Sequence, residues 1–194
     1  MSLKGREYSV LIVSAAENIN SALFPMLQAP CYGLVKTVVS VAEAARAVSE
    51  RGYDLVIINS PLPDDAGMNL ACRLCADSGS SVLLLVKAAA YEETFERAAG
   101  YGVFVMAKPF PRQMMVAALS WMASARERMK KGEKQTISIQ EKMDEIKAVN
   151  RAKWLLISEL KLDEQGAHRY IEKQAMDRCI TRRQIAEEII RIYG

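Results

Sequence analysis

The sequence predicts an α/β domain built on a five-stranded parallel sheet, followed by a linker helix and a small all-α module of three helices. Up to about residue 110, short apolar runs rich in β-branched residues alternate with helical patterns, which is typical of repeated βαβ units. After Trp121 the pattern stays helical and basic residues become frequent. The 194 residues suffice for one ordinary domain plus a small module.

The five predicted strands are apolar with little alternation, as expected for strands covered on both faces. They comprise residues 8–13, 33–39, 55–59, 82–86 and 102–107. Helical patterns lie between them at about 18–27, 41–51, 67–76 and 91–100, with turn residues at the joins. A fifth helix is expected from Pro111, because proline suits a first helical turn, and Met115, Leu119 and Met122 repeat along one face.

The helical pattern continues from there through Gly132 to about residue 160, and we interpret residues 126–139 as a connecting helix between domains at 1–125 and 140–194. Ile139, Met143 and Ile146 keep a spacing of four and then three. Two interpretations stay open. The segment forms a short coiled-coil seam between two copies of the chain, or it folds back on its own domain, since Gly132 weakens it and the heptads are few.

Two shorter helices complete the module. Asp163 is placed to cap the first, and Thr181 with Gln184 forms a capping box for the second. The apolar faces of the two helices are expected to consist of Ala167, Tyr170, Ile171 and Ala175, and of Ile185, Ile189 and Ile190. Because such a core is marginal by itself, we expect support from the linker or from a second subunit.

Composition excludes several classes of protein. Apolar residues make up 51% and charged residues 25%, the balance of a soluble globular protein. No apolar run approaches a membrane span, and Lys4 and Arg6 precede only a four-residue apolar stretch, so we expect a cytoplasmic protein without a secretory signal. Cys72 and Cys75 form a C-x-x-C, but the sequence has a single histidine, so we expect no metal and no cofactor.

Two motifs follow predicted strands. One is Asn59-Ser-Pro-Leu-Pro-Asp-Asp-Ala-Gly67 after the third strand, and the other is Lys108-Pro109-Phe110 after the fifth. With the five-unit βα order, residues 7–125 resemble the receiver domain of two-component response regulators. The resemblance implies the flavodoxin-like topology of that fold.

The resemblance also shows what is missing. An active receiver has an acidic pair after its first strand to hold Mg²⁺, an aspartate after the third as phosphoryl acceptor, a hydroxyl after the fourth and a switch aromatic in the fifth. The corresponding residues are Ser14, Ala15 and Ala16, then Asn59, Val86 and Val105. Magnesium binds mainly through carboxylates and water, and an amide is not the nucleophile that makes an aspartyl phosphate.

We therefore expect a pseudo-receiver that serves as a dimerisation or docking module. Lys108 remains from the motif, and it is expected to pair with a neighbouring oxygen or to point to solvent. Asp64 and Asp65 lie nearby in sequence, and Pro-Asp-Asp-Ala-Gly favours ordinary turn chemistry over metal ligation.

The basic excess lies in the C-terminal part. Residues 126–194 have 16 Lys and Arg against 12 Asp and Glu, a net of +4, whereas the rest of the chain has a net of −1. Short blocks within this part resemble the ANTAR domain of transcription antitermination regulators over about residues 140–190. The blocks are residues 152–156, 163–167, 174–177 and 185–190. Trp154 replaces a usual glycine, and Ile146 stands where many members have a basic residue.

This second resemblance implies that a dimer binds paired hairpins in nascent messenger RNA, whose folding competes with a terminator. Lys and Arg side chains meet phosphates, and unstacked bases meet cationic and aromatic side chains. The candidate RNA-binding residues are Lys147, Arg151, Lys153, Arg169, Lys173, Arg178, Arg182 and Arg183. Each has the alternative of a solvated face or an ion pair, such as Arg169 with Glu172 or a cluster of Glu172, Lys173 and Asp177.

Trp154 can stack a base, but we interpret it as a core residue because Leu155 and Leu156 follow it. His168 is expected at the boundary of the core, with RNA contact as the less favoured alternative. The leading hypothesis is an RNA-binding antiterminator without catalytic activity, controlled by a partner protein, a small ligand or its monomer–dimer balance. The alternative is a protein-interaction adaptor that pairs or docks without nucleic acid. A third hypothesis, phosphorylation at Asp64 or Asp65, is disfavoured.

Overall fold

The structure is a computed structural model that describes residues 7–194, so Lys4 and Arg6 lie outside the described residues. The strands are β1 (Tyr8–Val13), β2 (Tyr32–Val38), β3 (Leu55–Asn59), β4 (Ser81–Lys87) and β5 (Phe104–Lys108). The α-helices are α1 (Glu17–Leu23), α2 (Val41–Glu50), α3 (Met68–Asp77), α4 (Tyr91–Ala99), α5 (Arg112–Leu160), α6 (Glu164–Asp177) and α7 (Arg182–Tyr193). The described residues form two compact units, which divide between Lys131 and Gly132.

The first unit is a five-stranded parallel sheet in the order β2-β1-β3-β4-β5. This confirms the predicted flavodoxin-like α/β fold. Because all the strands run in one direction, their carboxyl ends lie along one edge of the sheet. Ser14, Asn59 and Lys108, which stand at the ends of β1, β3 and β5, are thereby brought to the same edge.

Helices cover both faces of this sheet, and successive residues of each strand pack alternately against the helices on one face and on the other. In β1, Leu11 and Val13 belong to the cluster that includes buried residues of α2, α3 and α4, whereas Val10 and Ile12 belong to the cluster with α1 and α5. The predicted face of α5 is confirmed, since Met115 and Met122 are fully buried.

Two predicted boundaries differ for reasons of backbone chemistry. The first helix was expected to extend to residue 27, but α1 ends at Leu23 and continues as one 3-10 turn, Phe24–Met26. Pro25 explains this, because its ring removes a backbone donor and crowds the preceding turn. The fifth strand begins at Phe104 rather than at Gly102, since Gly102 has a φ of 77° and belongs to the turn before the strand.

The expected connecting segment 126–139 lies inside one uninterrupted helix, α5, of 49 residues. Gly132 does not break this helix. No helix within residues 7–194 has the length and apolarity that crossing a bilayer requires.

The second unit packs the last part of α5 against α6 and α7. Its buried core contains two residues of α5, three of α6 and three of α7, namely Ala152, Leu156, Ala167, Ile171, Ala175, Ile185, Ala186 and Ile189. Asp163 accepts a hydrogen bond from the Gly166 backbone, and Thr181 and Gln184 form the capping box, which confirms both predicted caps. Tyr170 is 40% exposed, so its assignment to the apolar face was wrong.

Candidate functional site

A buried hydrogen-bond chain occupies the edge of the sheet where β1, β3 and β5 end. The Asn59 amide nitrogen donates to Ser14 Oγ at 3.1 Å, and Lys108 Nζ donates to Asn59 Oδ1 at 2.5 Å and to the Ser60 carbonyl at 2.6 Å. Ser14 and Asn59 are buried. Burial and the nearby charge of Lys87 hold the pKa of Lys108 below its ordinary value. Lys108 thus pairs with neighbouring oxygens, both of them neutral.

The remaining positions of this pocket supply no acidic side chain. Ala15 is exposed, Val86 is buried and Val105 is half-buried. Within the described residues 7–194, no three His, Cys, Asp or Glu side chains are grouped so that they could hold a metal ion. The Asn59 amide and the Lys108 ammonium are bonded to each other, but these positions do not supply the carboxylate ligands that Mg²⁺ prefers.

Asp64 and Asp65 have structural partners in the loop after β3. The Asp64 carboxylate accepts hydrogen bonds from the backbone N–H groups of Val41 at 2.9 Å and Ala42 at 3.0 Å, at the start of α2. These bonds hold the pKa of Asp64 below its ordinary value. Asp65 Oδ1 accepts from the Gly67 backbone at 2.6 Å, which closes a local turn. The Asp64 carboxylate therefore caps the start of α2, and the Asp65 carboxylate stabilises the turn.

The C-x-x-C pair lies on α3. Burial raises the pKa of the Cys72 thiol above its ordinary value and that of Cys75 to about 11. Both thiols are protonated at neutral pH, and a thiolate is the form that binds metals or attacks disulfides.

In the second unit, four of the eight candidate RNA-binding residues are exposed and have no ion-pair partner within residues 7–194. They are Lys147 and Arg151 on α5, and Arg169 and Lys173 on α6. Each pair is separated by four residues, so its two side chains lie on one face of their helix. The ion pair considered for Arg169 with Glu172 is absent from the described residues, and Glu172 instead contacts His168, which is exposed, at 3.2 Å.

The other four candidates bind glutamates. Arg178 makes a bidentate pair with Glu188, Arg183 pairs with Glu187, and Lys153 pairs with Glu164 at 3.2 Å. Arg182 lies 3.2 Å from Glu145 of α5 and 4.0 Å from Glu172 of α6, so it joins three helices. These cations are partly neutralised in the free protein.

Comparison with known proteins agrees with the division of the chain into two units. Residues 138–190 match the ANTAR domain family. The transcriptional regulatory protein PdtaR of Mycobacterium tuberculosis is 26% identical over 186 residues, which cover 95% of this chain and 90% of PdtaR. The fold of the first unit is similar to a signal receiver domain of an HD domain-containing protein from Pseudomonas fluorescens, with a TM-score of 0.57, 22% identity, and coverage of 69% of this chain and 97% of that one.

A second solved structure, the chemotaxis response regulator CheY4 of Vibrio cholerae, gives a TM-score of 0.52 at 20% identity and covers 60% of this chain and 98% of CheY4. The chain combines a receiver fold with an ANTAR domain. This is the architecture of a transcriptional antitermination regulator that carries a receiver domain, and it points to a response regulator rather than to an enzyme class.

Trp154 of the ANTAR domain is 72% exposed, so its interpretation as a core residue was wrong. Ala152 and Leu156, four positions apart, are the buried residues of this turn, and Trp154 lies midway between them. A position two residues from each is on the opposite side of a helix. Helical periodicity was the signal that could have placed it. Trp154 instead shares a face with Lys147 and Arg151, at spacings of four and three, and we call these three residues the α5 stripe.

Three apolar residues of the ANTAR domain's first helix are also exposed. Ile139, Met143 and Ile146 have exposed fractions of 60%, 47% and 60%. Their spacing places them along one side of α5. An exposed apolar row of this kind is typical of a surface that contacts another molecule.

Proposed function

We propose that this protein is an RNA-binding antitermination regulator that binds hairpins in the leaders of nascent mRNAs, and that its receiver-fold unit works without phosphorylation. The observation that carries the proposal is the set of exposed, unpaired cations within the ANTAR match, namely Lys147, Arg151, Arg169 and Lys173. Cations without protein partners are free to replace the counterions of a phosphate backbone. Such a regulator acts where transcripts are made, so we place it in the cytoplasm.

The paired cations have a different part in this proposal. Four cations must give up an ion pair with a glutamate before they can bind a phosphate, so the free energy of that ion pair is lost on RNA binding. They are Lys153, Arg178, Arg182 and Arg183. We therefore assign the largest share of phosphate contact to the unpaired residues.

The pocket of the receiver unit supports the non-phosphorylated part of the proposal. Asn59 occupies the acceptor position, and its amide is committed to Ser14 and Lys108. Since an amide does not form an aspartyl phosphate, control must come from a partner protein, a small ligand or the monomer–dimer balance.

We further propose that the active form is a homodimer. Ile139, Met143 and Ile146 give a row of apolar side chains that a second copy of the chain can cover. Met143→Lys is expected to shift sedimentation toward the monomer, because it places a charge in the middle of that row. A sedimentation coefficient equal to that of the unmodified protein at every concentration would remove the row from the dimer contact.

A gel-shift series with tandem hairpins from the organism's own leader RNAs tests the RNA-binding proposal. We expect Lys147→Ala with Arg151→Ala to weaken binding and to lower the slope of log affinity against log salt by about 0.7–0.9 for each cation removed. Lys36→Ala is the matched control, since it removes a cation from the receiver unit. Absence of binding by the unmodified protein to every leader hairpin at low salt would refute the proposal.

One observation favours a second candidate function, a protein-interaction adaptor without nucleic acid. The exposed apolar row Ile139, Met143 and Ile146 suits a helical protein partner as well as a second copy. Apolar docking loses little affinity as salt rises, whereas hairpin binding weakens steeply. The salt series therefore separates the two functions.

A further inference from the structure

Trp154 presents a flat aromatic surface to solvent on the ANTAR domain. The residue is 72% exposed, although the neighbouring Ala152 and Leu156 are fully buried. Aromatic side chains at such positions contact bases in proteins that bind single-stranded nucleic acid, because every base has a π-face.

A small cleft adjoins the indole. It has a volume of about 290 Å³ and is lined by Asn150, Lys153, Trp154, Ile157 and Glu164. This is just below the ~300–1,000 Å³ of small-ligand sites, a size that suits one ring system. One wall is aromatic and one is aliphatic, and the other three side chains supply hydrogen-bonding groups. A planar heterocycle with polar edges is the ligand that matches such walls.

The polar groups of the cleft have unused hydrogen-bonding capacity. Lys153 Nζ contacts Glu164 Oε1 at 3.2 Å, which leaves Oε2 of the same carboxylate without a hydrogen bond from residues 7–194. The Asn150 side chain likewise makes no hydrogen bond within that range. An ionised carboxylate only accepts hydrogen bonds, so it selects a ligand edge that carries N–H donors.

We propose that Trp154 and this cleft bind one unpaired nucleobase that carries an exocyclic amino group. The indole stacks on the ring, and Glu164 accepts from the amino group. Uracil is disfavoured because two carbonyl oxygens flank its single N–H and would face the carboxylate. This inference rests on the proposed RNA-binding function and adds a specificity-determining site to it.

The rest of the α5 stripe favours RNA over a second copy of the chain as the occupant. Lys147 and Arg151 share the face of Trp154 and have no ion-pair partner within residues 7–194. Two copies that met through this face would bring like charges together, whereas a phosphate backbone beside a stacked base neutralises them.

The test uses the full chain with Trp121→Phe, so that Trp154 is the only tryptophan. A hairpin RNA that the protein binds is titrated against its fluorescence, with a fully paired duplex of equal length as comparison. We expect the hairpin to quench Trp154 fluorescence and the duplex to leave it nearly unchanged. Trp154→Ala is expected to weaken hairpin binding by about 5- to 150-fold with an unchanged salt slope, whereas Trp154→Phe retains most of the affinity.

Base selection is tested with adenylate, cytidylate and uridylate pentamers. We expect the first two to quench Trp154 fluorescence at lower concentration than the third, and Glu164→Gln to narrow that difference. Circular dichroism of each variant checks that the helices remain.

The outcomes separate this inference from the function on which it rests. If the unmodified protein binds hairpins but Trp154→Ala binds equally well and Trp154 fluorescence does not respond, the inference is wrong and the proposed function stands. If fluorescence changes with protein concentration and not with RNA, a second copy covers the indole and the inference is also wrong. If no hairpin is bound at low salt, both fall together.

Discussion

Lys108 donates a hydrogen bond of 2.5 Å to the side-chain oxygen of Asn59. A cation that faces an aspartate in an active receiver faces a neutral amide in this protein. The amide nitrogen of Asn59 is in turn bonded to the buried hydroxyl of Ser14, so both ends of the side chain are occupied. Ser14, Asn59 and Lys108 thus form one hydrogen-bond chain across the ends of three strands.

The first prediction concerns phosphorylation. Incubation of the full chain with a small phosphodonor and Mg²⁺ should leave its mass unchanged, because Asn59 is not a nucleophile and the pocket lacks carboxylate ligands. Asn59→Asp is expected to gain no phosphoryl group either, since Ser14 and Ala15 still supply no acid. Mass spectrometry measures both. A phosphoryl group on the unmodified protein would overturn the pseudo-receiver assignment.

The second prediction concerns acid stability. Asp54 is bonded to Ser9, Arg126 and Lys130. Burial alone would raise the pKa of Asp54, but these bonds outweigh it and hold the pKa below its ordinary value of 3.8. A lowered pKa means that the stabilisation is present at neutral pH and is lost as the pH falls through the folded-state value.

We therefore expect Asp54→Asn to lower the free energy of unfolding by about 1–3 kcal/mol at neutral pH, and by much less at an acidic pH below the folded-state pKa of Asp54. Urea unfolding at both pH values measures this. Glu50→Gln is the control, because Glu50 makes only a surface pair with Lys36 at 3.7 Å. An equal loss for Asp54→Asn at both pH values would contradict the titration argument.

The third prediction uses two glycines with opposite surroundings. Gly67 has a φ of 79°, and an added Cβ would lie 2.7 Å from Ile58 Cγ2, so Gly67→Ala should destabilise the receiver unit by at least about 1–2 kcal/mol. Gly132 lies within α5 with open space around it, so Gly132→Ala should stabilise the helix by about 0.5–1 kcal/mol. Denaturant unfolding compares the two, and a gain for Gly67→Ala would refute the steric argument.

The fourth prediction separates a structural cation from a free one. Arg182 pairs with Glu145 and Glu172, so Arg182→Ala should lower the free energy of unfolding by about 0.5–1 kcal/mol. Arg169→Ala removes an unpaired cation and should weaken hairpin binding while leaving the unfolding midpoint unchanged. Unfolding and gel-shift measurements on the same preparations compare them. If Arg169→Ala lowered the midpoint as much as Arg182→Ala, the distinction would be lost.

The sheet was predictable from the sequence because parallel strands covered on both faces are unbroken apolar runs, as in Leu55–Asn59. Both caps of the last helices were equally visible, since capping depends on residues only three positions apart. The end of α1 was missed although Pro25 marked it. Most elements of the fold could therefore be predicted from residues that are close together in the sequence.

The candidate site was less predictable, because it depends on contacts distant in sequence. Nothing near Arg182 in the sequence indicates that it reaches Glu145, 37 positions earlier. The apolar neighbours Leu155 and Leu156 favour a core position for Trp154, whereas the helical period set by the buried Ala152 and Leu156 places it on the exposed side. Which of the eight cations form ion pairs depends on how α5, α6 and α7 pack against one another, and the sequence alone does not show this packing.

The carboxylate of Asp64, on the loop that follows β3, is fastened to the first two amides of α2. This ties the rim of the pocket to a neighbouring helix by bonds that persist at every physiological pH. The loop after β3 and the start of α2 therefore keep the same position relative to each other wherever Asp64 is ionised.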